Sequence, residues 1–231
     1  MVITSISGNP GTSPPLSTES ESVPVLLEAI QPAAKSLVEI ERAFSALCVE
    51  PVLVALELAP DCETGVITLP DSFFNSFGSS SLAPEFQEDV AAAMRIYLRR
   101  LRQLPALWDS LQAVEIRGHT DPRALRRPYT TNLVVSQQHP IALLLFLMGP
   151  RGLASEDKLD LQRLAVVSGS SFSRPPKSCP ESTRECYPKW RRVEIRPVLS
   201  ESLRRADWSR TLEDVRETAR RIQQEDQPKK P

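Results

Sequence analysis

The residues best suited to chemistry lie in IRGHTDPRALRR, Ile116 to Arg127. A strand-like stretch ends there in Gly118, His119 and Asp121, with Arg123, Arg126 and Arg127 close behind. Three chemistries fit. His119 and Asp121 stand two apart on an extended segment and leave the backbone on one face, as a general base and its orienting carboxylate would. The same pair can contribute to a metal site. Alternatively, Asp121 accepts the ammonium of a small zwitterion while a nearby arginine takes its carboxylate through two parallel hydrogen bonds.

The rest of the chain weighs against the first two. No serine or cysteine sits on a glycine elbow, and the phosphate-loop and dinucleotide patterns are absent. A metal hydrolase wants more than His119 and His139, and neither stands at finger-like spacing from a cysteine pair. The expectation is a non-enzyme without metal or cofactor. Composition agrees: 231 residues, 41% hydrophobic and 25% charged with a net charge of -1, suit an ordinary globular domain with extensions and give no reason to expect nucleic-acid binding. The longest apolar run, Ile141 to Met148, is short of a bilayer span, and the N-terminus lacks a basic-then-apolar leader. This reads as a cytoplasmic chain if complete, or as a piece whose export or membrane segment lies elsewhere.

Several elements must position these residues. Positions 1–24, rich in Ser, Thr and Pro, read as a tail or linker. Residues 25–62 form an extension: a helix over Val25 to Cys48, kinked at Pro32, then a strand in PVLVALELA (Pro51 to Ala59). That strand is expected to pair as a hairpin with GVITLP (Gly65 to Pro70). Pro84 to Leu104 predicts an amphipathic helix with Phe86, Val90, Met94, Tyr97, Leu98 and Leu101 inward, and Arg95, Arg99, Arg100 and Arg102 in water. LQAVEIRG predicts a strand with Val114 and Ile116 buried and Glu115 and Arg117 outward. A helix from Ser136 to Met148 follows, with Ser136 as N-cap and Pro140 near the first turn. DKLDLQRLAVVSGSS reads as a helix running to a short strand, WRRVEIRPVL as the closing strand, and Trp208 to Ile222 as a last helix within 201–231. The class is α+β, with a β–α–β–α–β core over 63–200 whose helices pack on one face of a small mixed sheet. Cys179 and Cys186 sit at a spacing that suits either a hairpin-like disulfide or two free thiols.

Four segments carry a resemblance, in order and spacing: GVITLPDSFFNSFGSSSLAPEF, VEIRGHTDP, NLVVSQQHPIALLLFL and WRRVEIRPVL. From Gly65 to Leu199 the chain resembles the OmpA-like peptidoglycan-binding domain. Its layout is nearest to MotB-type motor stators and the ZorB subunit of Zorya phage defence. The resemblance implies a non-catalytic pocket for the diaminopimelate end of the peptidoglycan stem peptide, in an envelope or periplasmic setting. A membrane partner protein is implied, and a homodimer is compatible with it. It also implies a Cys179–Cys186 disulfide. Asp121 matches the ammonium-binding carboxylate, Thr120 the residue before it, and Asn132 the asparagine opening the helix motif. Arg191 and Arg192 match an arginine pair before the last strand, the second of which can serve a structural role. Trp190 stands where an asparagine is usual. One departure bears on function. His139 replaces the motif's carboxylate-gripping arginine, and Pro140 its alanine. A neutral imidazole offers one N–H and no fixed charge. Either Arg123, Arg126 or Arg127 restores the grip from the loop, or the pocket is degenerate and the module holds a protein partner.

Overall fold

Alternation of apolar and polar residues builds the centre of the fold, a four-stranded mixed sheet. The structure, a computed structural model, describes residues 38–75, 81–123 and 128–200. All belong to one unit, Lys35–Ala206; the second unit, Met1–Ala34 with Asp207–Pro231, lies outside the described residues. The expected tail, the start of the first helix with its Pro32 kink, and the Trp208–Ile222 helix fall there too.

The strands are β1 (Ile67–Pro70), β2 (Leu111–His119), β3 (Ala165–Gly169) and β4 (Arg192–Leu199), in the order β1-β4-β2-β3. β4 runs antiparallel to both β1 and β2, with Ile195 opposite Ile67 on one side and Ile116 on the other. β3 is parallel to β2, reached through two crossover helices. Val114, Ile116, Val193 and Ile195 are at most 1% exposed, so the sheet's apolar face is the core.

Helices cover that face. α1 includes residues 38–47, followed by α2 (Pro51–Ala55), α3 (Gln87–Arg102), α4 (Pro105–Ser110), α5 (Pro128–Met148), α6 (Ser155–Leu164) and α7 (Tyr187–Trp190). α3 buries Val90, Met94, Tyr97, Leu98 and Leu101 as its period requires. The buried Tyr97 hydroxyl donates to the Gly65 carbonyl at 2.9 Å. Arg95, Arg99 and Arg100 are exposed, but Arg102 is not simply solvated: it pairs with Glu156, Asp157 and Asp160 and ties α3 to α6.

Two element assignments are corrected. Pro51–Ala55 is a helix, not a strand, so no hairpin with β1 forms. Pro51 occupies the first helical turn, where its missing N–H costs nothing, and a Cys48–Cys62 disulfide closes the chain on itself across the segment. Only Leu53 and Leu58 of that apolar run are fully buried. Second, Ser136 is not an N-cap, because α5 begins at Pro128 and Ser136 and Pro140 lie inside it. Pro140 cannot donate to the Ser136 carbonyl. That oxygen instead sits over β2, where a Cβ built on Gly118 would meet it at 1.7 Å. Gly169, paired with Gly118 across the sheet, lies under Ser136 Oγ, which a Cβ there would meet at 2.4 Å. The two glycines let α5 lie down on the sheet.

α5 has no Asp, Glu, Lys or Arg over its 21 residues and, contrary to the run-length reading, is long and apolar enough to cross a membrane. Here it packs on β2 and β3 and buries Asn132, Ser136, His139, Pro140, Ala142, Leu143 and Leu147.

Candidate functional site

Three loops meet at one end of the sheet: those leaving β1 and β2, and the one entering β4. The antiparallel ladder fixes this, since Pro70 and His119 both lie opposite Arg192. Asp71 follows β1 immediately and its N–H donates to the Arg191 carbonyl at 3.2 Å. Asp121 follows β2. Asn132 Nδ2, from the first turns of α5, donates to the Asp121 carbonyl at 2.9 Å, and Thr120 N–H donates to the Ser171 carbonyl at 2.9 Å.

The two carboxylates share one guanidinium. Arg191 donates from Nε to Asp71 at 2.8 Å and from Nη1 to Asp121 at 2.9 Å. Arg123 closes the other side of Asp121 with Nε at 2.9 Å, Nη2 at 2.6 Å and its backbone N–H at 3.1 Å. Its guanidinium also lies 5.1 Å from the Tyr187 ring centroid. His139 stacks flat on Phe74 at 4.1 Å and brings Nδ1 to 3.6 Å from Asp71.

Exposure differs sharply within this cluster. The Asp121 side chain is 3% exposed and Arg191 19%, whereas Arg123 is 55% exposed. Burial pushes the Asp121 carboxyl up, but the Arg123 and Arg191 hydrogen bonds outweigh it and hold it below the usual carboxylate range. Arg123 is in turn held above the ordinary guanidinium range by Asp121. Two acids and two arginines leave the cluster near neutrality. An ionised, nearly buried carboxylate beside guanidinium forks can receive an ammonium and a carboxylate borne on one carbon.

The structure thus brings Asp121, Arg123, Asn132, His139 and Arg191 together. Asn132 meets the Asp121 backbone rather than its carboxylate. Thr120 is buried, and among the described residues its hydroxyl has no hydrogen-bond partner. Arg126 and Arg127 lie outside the described residues. Arg192 points to the other face of the sheet, donating to Glu194 and to the Trp190 and Arg174 carbonyls. His119 goes the same way. Its Nε2 faces Glu194 at 3.3 Å, its side chain is 1% exposed, and among the described residues neither ring nitrogen has a well-aligned hydrogen bond. His119 and Asp121 therefore form no dyad. Sequence reasoning passed over Asp71, Phe74 and Tyr187; a carboxylate directly after a strand, in ITLPDSFF, was the available signal for Asp71.

Two hollows lie elsewhere among the described residues. One of about 530 Å³ runs between α1 and the end of α3, and one of about 650 Å³ on the back of the sheet around His119 and Glu194. Asp121 lines neither, and its ionic geometry marks the site.

Two disulfides brace the unit, Cys48–Cys62 and Cys179–Cys186. The second matches the pairing the resemblance implied. The first, unforeseen, leaves no free cysteine. Trp190 Nε1 donates to the Cys179 carbonyl at 2.9 Å, fixing the disulfide loop against the residue before Arg191.

No family model matches the chain, and no curated protein matches it. Solved structures similar to it include OmpA-like domains. The cell wall anchor of the T6SS from Pseudomonas aeruginosa is 25% identical over 59% of this chain and 81% of that one, with a TM-score of 0.36. A MotB-like protein from Desulfovibrio vulgaris is 20% identical over 74% and 97%, with a TM-score of 0.42. The OmpA-like domain of FopA1 from Francisella tularensis is 10% identical over 59% and 75%, with a TM-score of 0.37.

Proposed function

We propose that this chain is a non-catalytic cell-wall module that holds the diaminopimelate end of a peptidoglycan stem peptide at Asp121. One observation carries the reading. Asp121 is almost wholly buried yet kept ionised, at the meeting point of three loops, with Arg123 and Arg191 beside it. A buried carboxylate of this kind suits an ammonium, and the arginines suit the carboxylate on the same carbon. The segments that resemble the OmpA-like family supply the ligand class. Two disulfides support an oxidising, envelope-side setting, in which the module anchors a membrane partner of stator or defence type.

Purified sacculi and free diaminopimelate test it. Wild type co-sediments with sacculi, and Asp121→Asn does not. Equal sedimentation of the two overturns the pocket.

A second reading has its own observation. Arg123 already occupies Asp121, which favours a closed pocket on a module that holds a protein partner. Under that reading wild type ignores sacculi, while a partner captured by the intact module is retained by Asp121→Asn.

A further inference from the structure

We propose that Arg123 is a tethered stand-in for the ligand's ammonium, and that binding proceeds by exchange of ion-pair partners. The ligand's ammonium takes the place of Arg123 on Asp121. The released Arg123 guanidinium then takes the ligand's carboxylate. The inference rests on the pocket reading above and says what that pocket selects.

The two arginines on Asp121 are not equivalent. Arg191 is tied to two acids at once, Asp71 and Asp121, and is 19% exposed. Among the described residues Arg123 pairs with Asp121 alone of the carboxylates, two residues away in sequence, and its side chain is 55% exposed. It can leave without opening the core, and the Tyr187 ring 5.1 Å away gives it a resting place at the mouth.

Charge counting then sets the direction. Asp71, Asp121, Arg123 and Arg191 sum to zero, and a zwitterion adds zero. After exchange each charge again has a partner: ammonium with Asp121, carboxylate with Arg123, Arg191 still with Asp71. A ligand with only an ammonium must strand Arg123 in water. A ligand with only a carboxylate must strip Asp121 of its cation. Because Arg123 is tethered, its effective concentration at Asp121 is high, in the millimolar range or above for a short link. Simple amines therefore compete poorly. The exchange also accounts for a helix that offers His139 where a fixed guanidinium would otherwise grip the carboxylate: the grip comes from the loop instead.

Titration calorimetry on the full chain tests this with two probes, diaminopimelate and pentane-1,5-diamine, the same skeleton without its carboxylates. Arg123→Ala removes both competitor and carboxylate grip. Affinity for the diamine rises about tenfold, while affinity for diaminopimelate falls by one to two decades, the loss of one charge-assisted hydrogen-bonding group. Arg123→Lys keeps a tethered cation and holds the diamine near its wild-type affinity. Shifts of the same sign for both probes, or no shift for either, overturn the exchange while leaving diaminopimelate binding intact. Failure of wild type and every variant to bind diaminopimelate at millimolar concentration overturns the pocket reading itself, and the exchange with it.

Discussion

Arg191 and Arg192 are neighbours in sequence and serve opposite sides of the sheet. Arg191 joins the acids of the pocket, Asp71 and Asp121. Arg192 is 8% exposed, bonds Glu194 and two backbone carbonyls, and completes with His119 a largely buried network whose acid, Glu194, is 19% exposed. Burial raises the Glu194 carboxyl, but His119 and Arg192 beside it hold it at about 2. Since burial lowers the affinity of His119 for its proton, Arg192 is the permanent charge behind that effect at neutral pH. On the pocket side, by contrast, one partner of Asp121 is more than half exposed. An acid whose partners are all buried is a structural fastener. An acid whose partner can leave is free to act as a receptor, the role proposed for Asp121.

That contrast breaks first at Arg192. Arg192→Ala leaves the largely buried Glu194 without its guanidinium, and urea unfolding drops by about 3 kcal/mol. A loss no greater than that of Arg123→Ala would erase the distinction between the two faces. Next comes Asp121→Asn, which lowers diaminopimelate affinity at least a hundredfold by calorimetry, because the ligand ammonium loses its counter-charge.

Acid separates the faces further. Glu194 titrates at about 2 in the folded chain, below its ordinary value of 4.5. A carboxyl depressed on folding contributes stability in full above its unfolded pKa and loses it as pH falls through the folded one. Stability therefore declines by roughly 2–3 kcal/mol between about pH 4.5 and pH 2 from this group, and Glu194→Gln flattens that slope in pH-dependent melts. His139→Arg is a smaller change: it sets a permanent cation near Asp71 and tightens diaminopimelate about tenfold, roughly 1.4 kcal/mol. Smallest is Arg123→Ala: the guanidinium is more than half exposed and Asp121 keeps Arg191, so urea stability falls by less than about 1 kcal/mol.

How much of this could be read from sequence depends on whether the signal was local. Val114 and Ile116, Val193 and Ile195 alternate along their own strands, so both central strands and their buried face were legible. The inward positions of α3 were legible from period alone. PVLVALELA failed because an apolar run of that length does not distinguish strand from helix, and the deciding constraint, Cys48 bonded to Cys62, acts across the segment from both ends. Ser136 failed for a similar reason. Pro140 in mid-helix looks like a first turn until Gly118 and Gly169 open space beneath it. In the pocket, Asp121 and Arg191 came from the resemblance. Asp71 did not, because only strand pairing brings a residue 50 positions before Asp121 to the same arginine.

The Cys48–Cys62 bridge has a mechanical consequence. A pull on the chain ahead of Cys48 would otherwise have to unravel α2 and its turns before it reached the sheet. The covalent link, spanning 14 positions, bypasses that slack and delivers tension five residues ahead of Ile67. From there load passes into the β1–β4 ladder in shear, and through β4 into its eight paired positions with β2, whose far end carries Asp121. Reducing the bridge should lengthen the first extension step in single-molecule pulling without lowering the force at which the sheet gives way.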